Sequence, residues 1–169
     1  MKKPLPDAED LLARLVECMR PAVTVDTALI GIHTGGVWLA QRLHAALALR
    51  KPLGTIDVSF YRDDYDSRGL HSKVRPSSIP FDVADADIVL VDDVLYTGRT
   101  IRAAMNELFD YGRPQSIRLA ALIDRGGRQL PIAAQFIGAE MSVPEGEQIE
   151  LTKDEKDRLN LVLNRQGAT

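Results

Sequence analysis

The sequence predicts an α/β protein, with a central parallel sheet flanked by helices. Three observations predict it. Helical and extended patterns alternate along the first two thirds of the chain, an order that favours parallel strands joined by crossover helices. Ile88 to Val91 is an apolar run without alternation, as expected of a strand covered on both faces. Leu11, Leu12, Leu15, Val16 and Met19 recur at helical spacing, which marks a helix laid on that sheet by one face.

Taken in order, Asp7 to Arg20 reads as a helix that Asp7 caps and Pro21 ends. Cys18 falls in its apolar pattern and is expected in the core. Thr27 to Ile32 is a short strand, followed by the loop His33-Thr34-Gly35-Gly36 and a second amphipathic helix over Val37 to Arg50. Thr55 to Tyr61 alternates as a strand does. Arg62 to Asp87 is highly charged and without period, and a stretch of that length inside a domain is usually functional. After the strand at Ile88 to Val91, Gly98 to Tyr111 is a helix with Ile101, Met105, Leu108 and Phe109 inward, stopped by Gly112 and Pro114. Ser116 to Ile123 is the next strand, and Phe136 to Gly138 a short one. Gln148 to Leu151 and Leu159 to Leu163 alternate weakly, as in a hairpin; a terminal helix is the competing reading.

The 169 residues suit one domain, and a hydrophobic fraction of 45% provides a normal core. No stretch reaches the roughly 18 apolar residues of a membrane span. MKKPLPDAED lacks the apolar segment of a secretory signal, and the single cysteine excludes an internal disulfide, so a cytoplasmic protein is expected. A net charge of −3 does not mark a nucleic-acid binder, and there is no cysteine/histidine cluster of zinc spacing.

The chemistry concentrates in Ile88 to Thr100, IVLVDDVLYTGRT. Asp92 and Asp93 follow a buried strand, and ligands of open α/β sheets bind beyond the carboxyl ends of strands. Ionised carboxylates accept hydrogen bonds, and a ribose with adjacent hydroxyls supplies the donors. The loop that follows leads into a helix whose first N–H groups form an anion site. Thr97 and Thr100 add hydroxyls, and Gly98 allows close approach of the backbone. Diol acceptors followed by a phosphate cradle describe a ribose 5-phosphate. The alternative is an ordinary strand-to-helix turn capped by Asp and Thr.

The same stretch resembles the phosphoribosyl diphosphate (PRPP) motif of type I phosphoribosyltransferases. SFYRDDY at Ser59 to Tyr65, VDDVLYTGRTIRAAMNEL at Val91 to Leu108, YGRPQSIRLAALIDRGGRQLPI at Tyr111 to Ile132 and FIGAE at Phe136 to Glu140 are similar to the PyrR family. Its members are pyrimidine-operon regulators that also act as uracil phosphoribosyltransferases. The resemblance implies the type I phosphoribosyltransferase fold over residues 1–169, with a flexible loop at about 62–82. It implies a small hood built from about 125–169 plus the N-terminal segment. Asp92 and Asp93 would hold the ribose hydroxyls, and the loop Val94, Leu95, Tyr96, Thr97, Gly98, Arg99 and Thr100 the 5-phosphate. His33, Thr34, Gly35 and Gly36 would meet the pyrophosphate, and Asp124, Arg125, Phe136 and Ile137 the base. Arg62 would belong to the catalytic architecture. Arg68, His71, Lys73 and Arg75 would be carried by the closing loop. Purine relatives place an acid where this chain has Tyr96, which implies a pyrimidine. Mg²⁺, carried by substrate and waters, is the implied cofactor. Uracil, PRPP and UMP are the implied ligands, a homo-oligomer the implied assembly, and no membrane is involved. The alternative is a nucleotide-sensing regulator of the RNA-attenuation type with vestigial catalysis.

Two departures from the family pattern bear on function. The family reads Thr-Arg-Gly where this chain has Thr34-Gly35-Gly36, so an arginine restored at Gly35 is expected to tighten PRPP binding, provided Gly35 needs no positive φ. RNA-binding members carry further basic residues where this chain has Gly127 and Ala133. Arg113, Arg118, Arg125 and Arg128 remain as one candidate patch without aromatic partners, so RNA binding is expected to be weak or absent.

Overall fold

The computed structural model describes residues 4–59 and 76–165. Helix α1 (Ala8–Met19) starts at Asp7, whose carboxylate accepts the Glu9 and Asp10 N–H groups at 2.8 and 3.2 Å. That cap satisfies donors which would otherwise lack partners. Then come β1 (Ala28–Ile32), α2 (Gly35–Ala46), β2 (Gly54–Ile56), β3 (Asp87–Leu95), α3 (Arg99–Asp110), β4 (Ser116–Asp124) and β5 (Phe136–Glu140). A hairpin of β6 (Glu147–Lys153) and β7 (Leu159–Arg165) follows.

The five-stranded sheet has the order β2-β1-β3-β4-β5, and its pairs are all parallel. Successive strand residues point to opposite faces, and the apolar side chains divide accordingly. Leu29, Val89, Val91, Ala120 and Leu122 meet α1 and α2. Ala28, Ile30, Ile88, Leu90, Leu119 and Ala121 meet Ile101, Ala104 and Leu108 of α3. Leu15 and Met19 of α1 are wholly buried, each worth about 1.5–3 kcal/mol. The hairpin wins over a terminal helix because Ile149, Leu151 and Leu159 are buried against the α1 face, and alternation in β6 suits a strand with one covered side. Arg42 of α2 binds Glu9 at 2.5 Å, and Glu9 accepts the Leu159 N–H at 2.9 Å, so the hairpin is tied to both helices.

Several expectations are corrected. The β3 strand does not stop at Val91 but continues to Leu95, because β4 goes on pairing with it after β1 has left at Gly31↔Val91. The β2 strand ends at Ile56 rather than Tyr61. Helix α2 begins two residues early and ends at Ala46. Cys18 is exposed rather than in the core. Phe109 is 52% exposed rather than inward. The return from residue 125 crosses to the α3 face, where Ile132 and Ala134 pack. Ahead of β3, Ser78 is bridged to Thr55 through N–H···O bonds of 2.7 and 2.8 Å, and Ile79 and Phe81 pack on the core.

At the amino end of the strands Asp87 collects three donors. Thr27 Oγ1 lies at 3.0 Å, Ser116 Oγ at 2.6 Å and Arg118 Nη2 at 2.9 Å. Arg118 also donates to the Ala22 carbonyl at 2.7 Å and lies over the Phe136 ring. This cluster clamps β1, β3 and β4 at the end opposite the two acids.

Candidate active site

The strand order reverses direction of growth between β1 and β3, and a crevice opens at such a switch point beyond the carboxyl ends. The two strands feed different helices, α2 after β1 and α3 after β3. Both helix N-termini therefore open on this end of the sheet. Asp92 and Asp93 lie at the point where β3 loses β1 as a neighbour. They are 1% and 6% exposed, and each carboxylate accepts the N–H of the residue after it, at 3.0 and 2.9 Å. A buried carboxylate needs such partners, since its desolvation is costly.

The first two residues of α2 are glycines for a steric reason. A Cβ on Gly36 would overlap the Val91 carbonyl oxygen, and one on Gly35 would lie 2.5 Å from Asp93 Oδ2. Gly31 gives the same relief below, where a Cβ would stand 2.7 Å from Val37 Cα. The helix N-terminus is thereby drawn down onto Asp93. Val37 and Trp38 N–H groups are used on the Thr34 carbonyl, and those of Gly35 and Gly36 lie in the turn that suits an anion. The His33–Thr34 peptide is cis.

On the other side, Gly98 has φ 93°, a left-handed conformation that glycine adopts without strain, and it starts α3. Thr97 Oγ1 accepts the Arg99 N–H at 3.2 Å, and the Thr97 carbonyl accepts those of Gln129 and Leu130 at 2.9 and 3.2 Å. Arg99 Nε reaches Gln129 Oε1 at 3.0 Å. Thr100 is half-buried in the first turn.

The order of the site is thus anion turn, acid pair, anion turn. The sequence from Asp7 to Glu145 matches the model of the phosphoribosyl transferase domain. A "Bifunctional protein PyrR" of Pseudomonas entomophila is 50% identical over 152 residues, covering 88% of each chain. One of Nitrosococcus oceani is 56% identical over 127 residues, 74% of this chain and 72% of that protein. The chain belongs to the PyrR family of phosphoribosyltransferases. The hypoxanthine phosphoribosyltransferase of Trypanosoma cruzi superposes with a TM-score of 0.67 over 98% of this chain and 97% of its own, at 19% identity. A hypoxanthine-guanine enzyme of Bacillus anthracis gives 0.65 over 83% and 85%, at 17% identity. At such identities the likeness is one of fold, the type I phosphoribosyltransferase fold.

Other expected site residues divide. Asp124 and Arg125 do reach this end, where Leu95, Asp124 and Glu140 are level across the sheet. They line a cavity of about 310 Å³ with Gly126, Arg128, Glu140, Met141 and Ser142. Phe136 and Ile137 are not in it. Parallel pairing sets Phe136 opposite Ala120, four residues before Asp124, or roughly 13 Å along the strand. Phe136 is buried in the core with α1. Glu140, Met141, Ser142 and Arg128 share that cavity and were not among the expected base-site residues. Glu140 could have been found from the register that puts the far end of β5, not its start, beside Asp124. Arg62, Arg68, His71, Lys73 and Arg75 lie outside the described residues.

Two further corrections concern charge. Gly35 is not at positive φ, yet Asp93 fills the place of its side chain, so an arginine there would displace the acid rather than assist it. The four arginines do not form one patch. Arg113 precedes β4 and Arg118 is its third residue, whereas Arg125 and Arg128 follow its end, roughly 23 Å from Arg118 for seven residues of strand. Arg118 is bound to Asp87 and Arg128 to Asp124. Arg125 lies over the Tyr96 ring at 3.9 Å.

Proposed function

We propose that the protein transfers the phosphoribosyl group of PRPP to uracil, giving UMP and pyrophosphate. The observation that carries this is the placement of Asp92 and Asp93 between two helix N-termini. PRPP has the same order: a 5-phosphate, a diol and a diphosphate. Backbone N–H groups at Gly98–Thr100 suit the monophosphate, the two carboxylates the ribose hydroxyls, and Gly35 and Gly36 the diphosphate. In this reading the chain orients both reactants and steadies charge as the anomeric bond breaks.

The base would occupy the cavity at Asp124–Arg128 and Glu140–Ser142, which at about 310 Å³ is at the small end for ligand sites. Tyr96 supports a pyrimidine. Its place supplies no carboxylate, and its ring is covered by Arg125 and lies against Gly127. The name borne by the relatives, bifunctional PyrR, agrees with an enzyme that also regulates pyrimidine genes.

Mg²⁺ fits this donor set. Asp92 and Asp93 are hard oxygen groups beside the ribose position, and among the described residues no cluster of three or more acidic, histidine or cysteine side chains forms a cage. The ion would come with the diphosphate and neutralise the leaving group's charge. Among the described residues no helix is long and apolar enough to cross a membrane. Incubation with uracil, PRPP and Mg²⁺ tests the proposal: UMP and pyrophosphate form together, and a folded protein that produces neither refutes it.

A further inference from the structure

Arg128 stands in the loop beyond β4, and its guanidinium is divided among three segments. Nε donates to the Ile132 carbonyl at 2.9 Å, Nη1 to the Tyr96 carbonyl at 2.6 Å, and Nη2 to Asp124 Oδ2. Its side chain is 24% exposed, so these bonds are largely shielded from water. Asp124 belongs to the wall of the base cavity. Tyr96 is the residue before Thr97, where the phosphate loop begins. Ile132 leans on Gly98, where a Cβ would be 3.0 Å from its Cγ1. Tyr96 is held on two further sides, by Arg125 over its ring and by Gly127 against the ring edge, where a Cβ would overlap Cε2. A single planar cation thus joins the base cavity to the phosphate turn.

We infer that Arg128 is a positioning residue that fixes the base cavity relative to the phosphate loop, so that base and phosphoribosyl group meet in one alignment. The names of the two subsites rest on the phosphoribosyl-transfer reading. The guanidinium bonds Asp124 and the Tyr96 carbonyl, and it acts on the substrates through them. A misplacement of about 1 Å between reactants costs on the order of 10²-fold in rate, so a loosened tie is costly without loss of any substrate contact. Lysine does not replace this side chain, because a compact ammonium lacks the fork that serves three acceptors in a plane.

Arg118 supplies the control. It too joins separate segments, through Asp87 at 2.9 Å and the Ala22 carbonyl at 2.7 Å, but at the opposite end of β4. Arg128→Gln and Arg128→Lys are expected to lower kcat/KM for both uracil and PRPP by roughly tenfold or more, the worth of one charge-assisted hydrogen bond. Arg118→Gln is expected to lower Tm comparably and kcat/KM by less than about twofold. Arg128 variants whose kinetics match Arg118→Gln at an equal Tm shift overturn the inference. A second measurement holds even if those variants do not fold. Asp124→Asn is titrated calorimetrically with ribose 5-phosphate, which has no base. Weakening by several-fold supports the tie, whereas unchanged affinity overturns it. A wild-type chain that makes no UMP refutes the uracil reading alone, since the ribose 5-phosphate titration still reports the tie.

Discussion

Replacing Gly35 by alanine adds one methyl group at the closest approach between α2 and the acid pair. The new Cβ would stand 2.5 Å from Asp93 Oδ2, 2.9 Å from its Cγ and 3.0 Å from its Cβ. Ordinary contact needs about 3.4 Å, so the carboxylate must retreat by close to 1 Å. Rotation about χ1 does not relieve the contact with Asp93 Cβ, so part of the strain falls on the backbone. Overpacking of this kind costs about 1–3 kcal/mol in stability. The effect on activity is larger, because the displaced group is the proposed ribose acceptor. A shift of about 1 Å predicts a loss near 10²-fold in kcat/KM for PRPP, or about 2.7 kcal/mol. Steady-state kinetics with PRPP varied, together with Tm, is the assay. Gly146→Ala is the control: Gly146 has φ 76° with nothing within 4 Å, so it bears backbone strain alone, about 1 kcal/mol. It should lose stability and keep its kinetics. A Gly35→Ala protein with wild-type kcat/KM would refute the placement of Asp93 beside the substrate. Gly35→Arg should be worse still, despite the arginine that the family pattern has there.

Asp93→Asn should weaken use of PRPP by about 1.5–3 kcal/mol with the fold intact, measured by kinetics alongside circular dichroism. Asp87→Ala removes the acceptor of Thr27, Ser116 and Arg118 and should lower Tm by several degrees while sparing KM, since the cluster lies at the far end of the strands. In Glu9, burial opposes the charge, but hydrogen bonds from Arg42 and the Leu159 N–H, with the charges of Arg42 and Arg158, outweigh it and hold the carboxyl below its usual range. Asp7 is also lowered, first by the Asp10 N–H; desolvation comes next and opposes it, and the Glu9 N–H and Arg158 add to the lowering. Both groups contribute stability above the ordinary carboxylate range, about pH 4, and lose it as pH falls through their lowered folded values; Glu9→Gln should flatten this acid limb in a series of melts. Filter binding of pyrimidine leader RNA should be weak and only shallowly salt-dependent, because Arg118 and Arg128 are engaged within the chain.

The alternation of elements, the Asp7 cap and the acid pair were legible because each is written in local residues. The hairpin was legible only as one of two readings, and the burial of Ile149, Leu151 and Leu159 against α1 decides it. The end of β3 was not legible. Two carboxylates look like the end of a buried strand, and only the continued pairing with β4 shows otherwise. Phe109 misled by period: eight residues after Ile101 it is turned by about 80°, whereas Leu108 is turned by only about 20° the other way. Phe136 falls in the core because strand register sets the far end of β5, not its start, level with Asp124. Arg128 reads as one more surface charge, because its three acceptors come from positions 96, 124 and 132, which only the fold brings together.

This acid pair and its two anion turns are proposed to serve transfer to a pyrimidine base. Equimolar uracil, orotate and hypoxanthine, offered together with limiting PRPP and Mg²⁺, test it most directly when the nucleotide products are separated by chromatography. UMP is expected as the dominant product, with pyrophosphate in equal amount and both formed much more slowly by Asp93→Asn. Inosine or orotidine monophosphate in excess of UMP, or UMP formation untouched in Asp93→Asn, would contradict it.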